Sequence, residues 1–297
     1  MTGQNGFIGS AVSRALIEAG HTVVSLDALT RLSGLALEED EEDPVKYPAD
    51  LAWVLHLGAK TSIPDSLARP FATYAGNIGS TLLALRVARH ARAAFLFMSS
   101  YVYGPPQYLP IDENHPVVSV NPYMGSKIVG EELCRQVCGM AGLPWVILRG
   151  FNIFGDQRIP GRLISDLLDA VRREIPMVLN NPVPLRDYLY IRDFVALILL
   201  VVAQRPLKTG IYNVGYGKSY SNRDVAELVR DLSGGTCPLV VRSQPRPHDI
   251  LDCSVNTDLV QRTFSWQPAY SLPRAMAELM DRIRREKEEA LHVQGNP

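Results

Sequence analysis

Three glycines within the first nine residues constrain this chain more than any other feature. The stretch Thr2-Gly3-Gln4-Asn5-Gly6-Phe7-Ile8-Gly9 runs into an amphipathic segment that ends at Ala19 and Gly20. Glycines at this spacing, opening a helix, let bare backbone approach a pyrophosphate, while the helix's free N–H groups and positive dipole end face it. The stretch therefore reads as a dinucleotide site made by Gly3, Gly6, Phe7, Ile8 and Gly9, although three such glycines can also mark no more than a tight turn. A loop of this kind leaves the end of a buried strand, and Met1 and Thr2 are too short to be one. The expectation is that the first strand of the sheet is missing from this chain. Met1 would then be a misplaced start, with about six apolar residues belonging upstream. That strand is central in such folds, so its omission leaves buried backbone groups unpaired, at roughly 1 to 3 kcal/mol each.

With 46% apolar and 21% charged residues among 297, the composition is that of a globular protein with a large core. A net charge of −1 gives no reason to expect nucleic acid as a partner. No apolar run is long enough for a membrane span, and no export signal is visible, so no membrane partner and a cytoplasmic location are expected. The four cysteines form no C-x-x-C pair and the six histidines are scattered, so neither a disulfide nor a metal is expected. Cys134 and Cys138, one helical turn apart, read as small apolar fillers.

The first half alternates helical and strand patterns at intervals that suit a doubly wound parallel sheet of Rossmann type, an α/β fold. Helix is expected over 10–19, 70–90 and 122–140, and strand over 22–26, 51–57, 94–98 and 145–148. The acidic run Glu38 to Asp43 reads as a solvated loop. Beyond about residue 155 the pattern breaks into short mixed elements rich in proline and glycine. Strands are expected over 211–214 and 239–241, and helices over 161–173, 191–202, 222–232 and 273–288, with a frayed end from Leu291. Residues 1–155 are thus expected to form the cofactor domain. Residues 156–297 would form mainly a smaller mixed α/β substrate lobe, with some segments returning to the sheet.

Asp27 closes the second expected strand, where a carboxylate can hold the adenosine ribose hydroxyls and repel a 2′-phosphate, which favours NAD over NADP. A carboxylate in a strand-end turn is the plainer alternative. Tyr123 and Lys127 stand one turn apart on one helix face, where a cation lowers a phenol's pKa and makes it a usable base. Most Tyr-x-x-x-Lys pairs are surface pairs, but Ser99 at a strand end adds a hydroxyl that could bond the same substrate oxygen.

At this point the chain resembles the extended short-chain dehydrogenase/reductases, specifically the nucleotide-sugar epimerases and dehydratases. The resemblance is carried in order by 2–9, His56-Leu57-Gly58-Ala59, Asn77 to Thr81, Ser99 to Gly104, Tyr123 to Lys127, Arg149 to Gly155, Arg186-Asp187-Tyr188 and Arg246 to Asp249. It implies a bound NAD that takes a hydride from a sugar carbon and returns it. Tyr123 would handle the hydroxyl proton, Lys127 would tune it and hold the nicotinamide ribose, and Ser99 would be the catalytic hydroxyl, five residues before Gly104. Leu57, Gly58, Ala59 and Asn77 fall on cofactor positions. Asn152, Arg162, Arg186, Arg246 and Asp249 fall on positions that hold a nucleotide sugar, with a UDP-sugar favoured. Arginine suits this because its planar fork pairs with phosphate oxygens. Arg186 beside Asp187 could equally be a structural ion pair, and Arg246 an exposed loop charge. A homodimer through the helices near 76–90 and 122–140 is also implied.

Dehydratases of the family carry an Asp-Glu pair after the catalytic hydroxyl residue, and this chain has Ser100 and Tyr101. Without those carboxylates, elimination lacks its proton carriers. Epimerisation at C4 through a transient 4-keto sugar is the activity this resemblance implies. Alternatives are a reductase of a nucleotide-linked 4-keto sugar, another dehydratase or decarboxylase of the family, and a catalytically silent NAD-binding protein. Two departures leave the sugar open: Arg162 replaces an expected amide near the diphosphate, and His248 replaces an expected glycine.

Overall fold

The computed structural model describes residues 1–27, 50–242, 244 and 250–294, with backbone alone described from 291. The acidic run Glu38 to Asp43 and the candidate residues Arg246 and Asp249 lie outside the described residues. The expected frayed end is helical to Gln294, and 295–297 again lie outside.

In chain order the first half contains α1 (Phe7–Glu18), β1 (Trp53–His56), α2 (Ile63–Ala68), α3 (Pro70–Ala91), β2 (Ala94–Met98), α4 (Pro122–Ala141) and β3 (Trp145–Gly150). Then follow β4 (Ile153–Phe154), α5 (Leu163–Arg173), β5 (Met177–Leu179), β6 (Leu185–Asp187), β7 (Leu189–Tyr190) and α6 (Ile191–Ala203). The remainder is β8 (Gly210–Val214), β9 (Ser219–Ser221), α7 (Asn222–Leu232), β10 (Leu239–Val241), α8 (Asp258–Phe264) and α9 (Leu272–Gln294).

The main sheet is parallel with the order β1-β2-β3-β8. Its strands read as nearly continuous apolar runs because both faces are covered, as parallel sheets require. On one face α1 and α6 pack Val12, Leu16, Phe194, Leu197 and Val201 against Leu55, Leu96, Val146 and Leu148. On the other, α3 and α4 bring Leu85, Val87, Cys134 and Cys138 onto Phe95, Phe97 and Ile147. Both cysteines are fully buried, small apolar fillers of this layer. A second core joins α5, α7 and α9 to β5 through Leu167, Leu168, Met177, Val225, Val229, Met276 and Leu279.

The expected strand 22–26 is not formed. Leu26 N–H donates to the Met1 carbonyl at 2.8 Å, and the Met1 amino group donates to the Val24 carbonyl at 2.6 Å. On its other side Thr2 bridges His56 in parallel and donates to the Leu55 carbonyl at 3.0 Å. Met1 and Thr2 thus stand between β1 and the 22–26 segment, and two residues offer that segment too short a ladder to become a strand. Segment 210–214 joins the main sheet as its edge beside β3.

Local sequence explains the helix that carries Tyr123 and Lys127. Asn121 caps α4, its side chain accepting from Met124 N–H at 2.9 Å, and Pro122 occupies the first turn, where its missing N–H is harmless. Gly142, at φ 63°, closes the helix in the left-handed region.

Candidate active site

The glycine loop joins Thr2 to α1, and each glycine is there for want of space. Gly3 adopts φ +70°, and a methyl on it would lie 2.7 Å from both N and Cα of Gly58. A methyl on Gly9 would overlap the Gly3 carbonyl, and one on Gly6 would stand 3.2 Å from it. Phe7 and Ile8 begin α1 and pack on the first core, while Gly6 caps the helix without any side-chain bond, leaving its first N–H groups unsatisfied by a side chain. These open N–H groups, beside a loop whose Gly3 and Gly6 carry no side chain, fit a pyrophosphate.

Asp27 accepts from Gly3 N–H at 2.5 Å and from Gln4 N–H at 3.1 Å, so it ties the end of the 22–26 segment to the loop. A carboxylate has about four acceptor directions, so these two bonds are compatible with ribose hydroxyls as further donors. Thr2 Oγ1 accepts from Gly58 N–H at 3.1 Å and bonds His56 Nδ1 at 2.7 Å, fixing the strand end that carries Leu57, Gly58 and Ala59. The residues present therefore fit NAD.

Asn77, expected at a cofactor position, bridges three elements of the fold. Its amide donates to the Lys60 carbonyl at 3.1 Å and to Ser126 Oγ at 2.9 Å, and its oxygen accepts from Lys60 N–H at 2.8 Å. These three bonds of a buried amide join α3, α4 and the loop after β1, which gives Asn77 a positioning role.

Around Tyr123 the structure again corrects the sequence. Ser99 is 2% exposed and its hydroxyl donates to Glu131 Oε1 at 2.5 Å, so it is turned away from any substrate. The hydroxyl that draws the pKa of the Tyr123 phenol back down belongs to Ser100. Counting back from Gly104 selects Ser99, whereas counting forward from the strand end at Met98 selects Ser100, because only Tyr101 separates it from Val102-Tyr103-Gly104. Neither Ser100 nor Tyr101 supplies a carboxylate, and the Tyr101 hydroxyl is bound to the Gly104 carbonyl at 2.5 Å.

Lys127 does not reach toward the phenol as the one-turn spacing suggests. Its Nζ donates to the Met98 carbonyl at 2.8 Å and lies 4.9 Å from the centre of the Phe97 ring. A desolvated ammonium needs an acceptor, and the strand-end carbonyl supplies it. Burial pushes Lys127 down to about 8, against the opposing pull of Glu131. Burial also pushes the Tyr123 phenol up, and the groups that draw it back are Ser100 and the charge of Arg162.

On the opposite side, Arg162 caps α5 and reaches Thr61 Oγ1, beyond β1, at 3.4 Å, so it spans the crevice. Asn152 takes φ 25° and donates to the Asp187 carbonyl at 2.9 Å. Arg186 donates to the carbonyls of Leu185 and Ile250 at 2.9 and 2.6 Å. Asp187, the possible ion partner of Arg186, instead accepts from the N–H groups of Tyr216 and Gly217 at 2.6 and 2.7 Å. Sequence reasoning gave no role to Ser100, Glu131 or Arg149. Glu131 could have been found as the next residue on the Tyr123–Lys127 face, four positions on.

A parallel sheet with a glycine cradle at one strand end and a Tyr/Lys helix at the others defines a dinucleotide-dependent enzyme class. Residues 1–215 match the NAD dependent epimerase/dehydratase family, and the chain belongs to that family. It is 30% identical to the UDP-glucose 4-epimerase of Homo sapiens, covering 94% of this chain and 94% of that protein. It is also 30% identical to the UDP-glucose 4-epimerase of Streptomyces lividans, covering 91% of each. Among solved structures it resembles the Thermotoga maritima UDP-glucose 4-epimerase with UDP-glucose, with a TM-score of 0.83 at 22% identity over 96% of this chain and 98% of that one. The Bacillus cereus UDP-glucuronic acid 4-epimerase in complex with UDP-glucuronic acid and NAD gives 0.81 at 22% identity over 96% and 98%.

Proposed function

We propose that this chain is an NAD-dependent nucleotide-sugar epimerase that inverts C4 of the sugar of a UDP-sugar. The observation that carries the reading is the Tyr123 phenol, drawn back by the Ser100 hydroxyl against the effect of burial and one turn from the buried Lys127. Gly3, Gly6, Phe7, Ile8 and Gly9 would hold the pyrophosphate of NAD, Asp27 its adenosine ribose, and Leu57, Gly58, Ala59 and Lys127 the remainder. When bound, NAD supplies the acceptor and then the donor of a hydride at C4.

Tyr123 takes the proton of the C4 hydroxyl as that carbon is oxidised to a ketone, and gives it back when the other face is reduced, so no atom is gained or lost. Ser100 orients the same oxygen. Removal of water is disfavoured because no carboxylate follows Ser100. Asn152, Arg162, Arg186, Arg246 and Asp249 are the residues proposed to hold the nucleotide sugar, and the UDP preference follows the relatives. The division into a cofactor domain over 1–155 and a mainly substrate-binding lobe over 156–297 is part of the same reading.

The same resemblance carries a homodimer through α3 and α4. Sedimentation giving a monomer at micromolar concentration would contradict it. Among the described residues no helix is long and apolar enough to cross a membrane, and four buried cysteines with no disulfide among them suit a reducing cytoplasm. The proposed activity is tested by incubating the purified protein with UDP-, dTDP-, GDP- and CDP-sugars and following inversion by NMR. Inversion of a UDP-sugar is expected, and turnover only with added NADPH and a 4-keto sugar would replace the epimerase by a reductase.

A further inference from the structure

Tyr123, Lys127 and Glu131 follow one another at four-residue steps along α4, and Lys127 and Glu131 are buried on the face turned to the sheet. We propose that Glu131 is a positioning residue of the reaction, one buried carboxylate that both holds the turn presenting Ser100 to Tyr123 and faces the ammonium of Lys127. The inference rests on the proposed epimerase reading.

Glu131 is 5% exposed. One oxygen accepts the Ser99 hydroxyl at 2.5 Å, and Arg149 of β3 grips the carboxylate through Nε at 3.0 Å and Nη2 at 2.6 Å. Ser99 is fixed from its other side as well, its N–H donating to the Leu148 carbonyl at 2.8 Å. Ser99 is thus held at both points, and the next residue is Ser100, the hydroxyl that acts on the Tyr123 phenol. Arg149 is itself braced by donating to Tyr103 Oη at 3.0 Å.

The groups around Lys127 leave Glu131 to balance its charge. From β1 comes the buried, neutral His56; from β2 the Met98 carbonyl and the Phe97 ring; from β3 Arg149, which is directed to Glu131. Glu131 is the carboxylate that opposes the effect of burial on Lys127. Stability alone is a poor account of the pair, because a buried ion pair is often matched by apolar residues of the same volume.

The test uses the protein as purified, with its lysines labelled with 13C at Cε. There are six lysines in the chain, and Lys127→Met identifies the Lys127 signal. In the wild type that signal is expected to titrate near pH 8. Glu131→Gln keeps an oxygen for Ser99 and removes the charge, so the midpoint is expected to drop by one pH unit or more. In the same variant kcat at neutral pH is expected to fall about tenfold or more with little change in KM, and Glu131→Asp to recover part of it. Ser99→Ala is expected to lower kcat without moving the Lys127 midpoint. A folded Glu131→Gln protein with an unmoved midpoint overturns the proposal. Should that variant not fold, Ser99→Ala with wild-type kcat overturns it instead. The titration needs no turnover, so a shifted midpoint in a protein that inverts no nucleotide sugar would count against the epimerase reading and support the role of Glu131.

Discussion

Gly3 and Gly58 stand back to back, with room for neither to carry a side chain: a methyl on Gly3 would meet the Gly58 backbone at 2.7 Å, and one on Gly58 would meet Gly3 N at 3.0 Å. Two glycines 55 positions apart in sequence thereby set the closeness of the cradle to the end of β1.

Gly3→Ala combines this clash with a left-handed φ that an L-residue resists. We expect a loss of about 3 kcal/mol or more of stability and a protein purified without NAD. Absorbance of the released cofactor and chemical denaturation are the measurements, and an alanine variant that retains NAD would show that the loop yields.

Tyr123→Phe removes the proton carrier and almost no packing. Turnover is expected to fall by about two to four orders of magnitude, with NAD content and KM little changed. Ser100→Ala is expected to reduce kcat in the same direction by a smaller factor. Unaltered turnover in Tyr123→Phe would remove the base from the mechanism.

A methyl on Gly125, midway between Tyr123 and Lys127, would strike the Tyr74 hydroxyl of α3 and lie 3.1 Å from Ser119 Oγ. Gly125→Ala is therefore expected to push α3 from α4 and lower kcat about tenfold. Tyr74→Phe, which removes the obstructing oxygen, should restore part of that loss in the double variant. Strict additivity of the two changes would mean that they do not touch.

How much of this could be read in advance depends on the range of the interaction. Strands β2 and β3 are apolar runs buried on both faces, and Asn121-Pro122 marks the start of α4 within three residues, so these elements were plain. The 22–26 segment is β-branched but is not a strand, because strand formation depends on a partner and not on its own side chains. The helix α2 escaped notice because it spans six residues and its start lies in one bond, Asp65 N–H to Ser62 Oγ at 3.2 Å. Tyr123 and Lys127 were visible by spacing, but the choice between Ser99 and Ser100 turns on where β2 ends and on a carboxylate 32 positions away. Asn77 matched a family position, while its actual partners, Lys60 and Ser126, carry no signal in sequence.

His56 is neutral in the fold. Burial, and then the charge of Lys127, push it down to about 3, with Thr2 Oγ1 and Thr81 Oγ1 on its nitrogens at 2.7 and 3.0 Å. The unfolded chain binds a proton near 6.5 that the folded chain refuses, so this contribution to stability is complete above about 6.5. It declines on acidification by about 1.4 kcal/mol per pH unit. Asp187 works in the opposite direction. Burial pushes it up to about 7, so its contribution is present below 3.8 and is lost as pH rises through 7. The comparison of wild type with His56→Gln isolates the histidine: their stability difference should shrink steadily below pH 6.5. A difference that stays constant from pH 4 to 8 would mean that the imidazole can take up a proton in place.

The most direct measurement uses a UDP-sugar carrying deuterium at C4, incubated with the purified protein and no added cofactor. If C4 is oxidised and reduced within one active site by retained NAD, the inverted sugar appears with its deuterium still at C4. Loss of the label to solvent during inversion, or no inversion until a reduced cofactor is supplied in stoichiometric amount, would contradict the account.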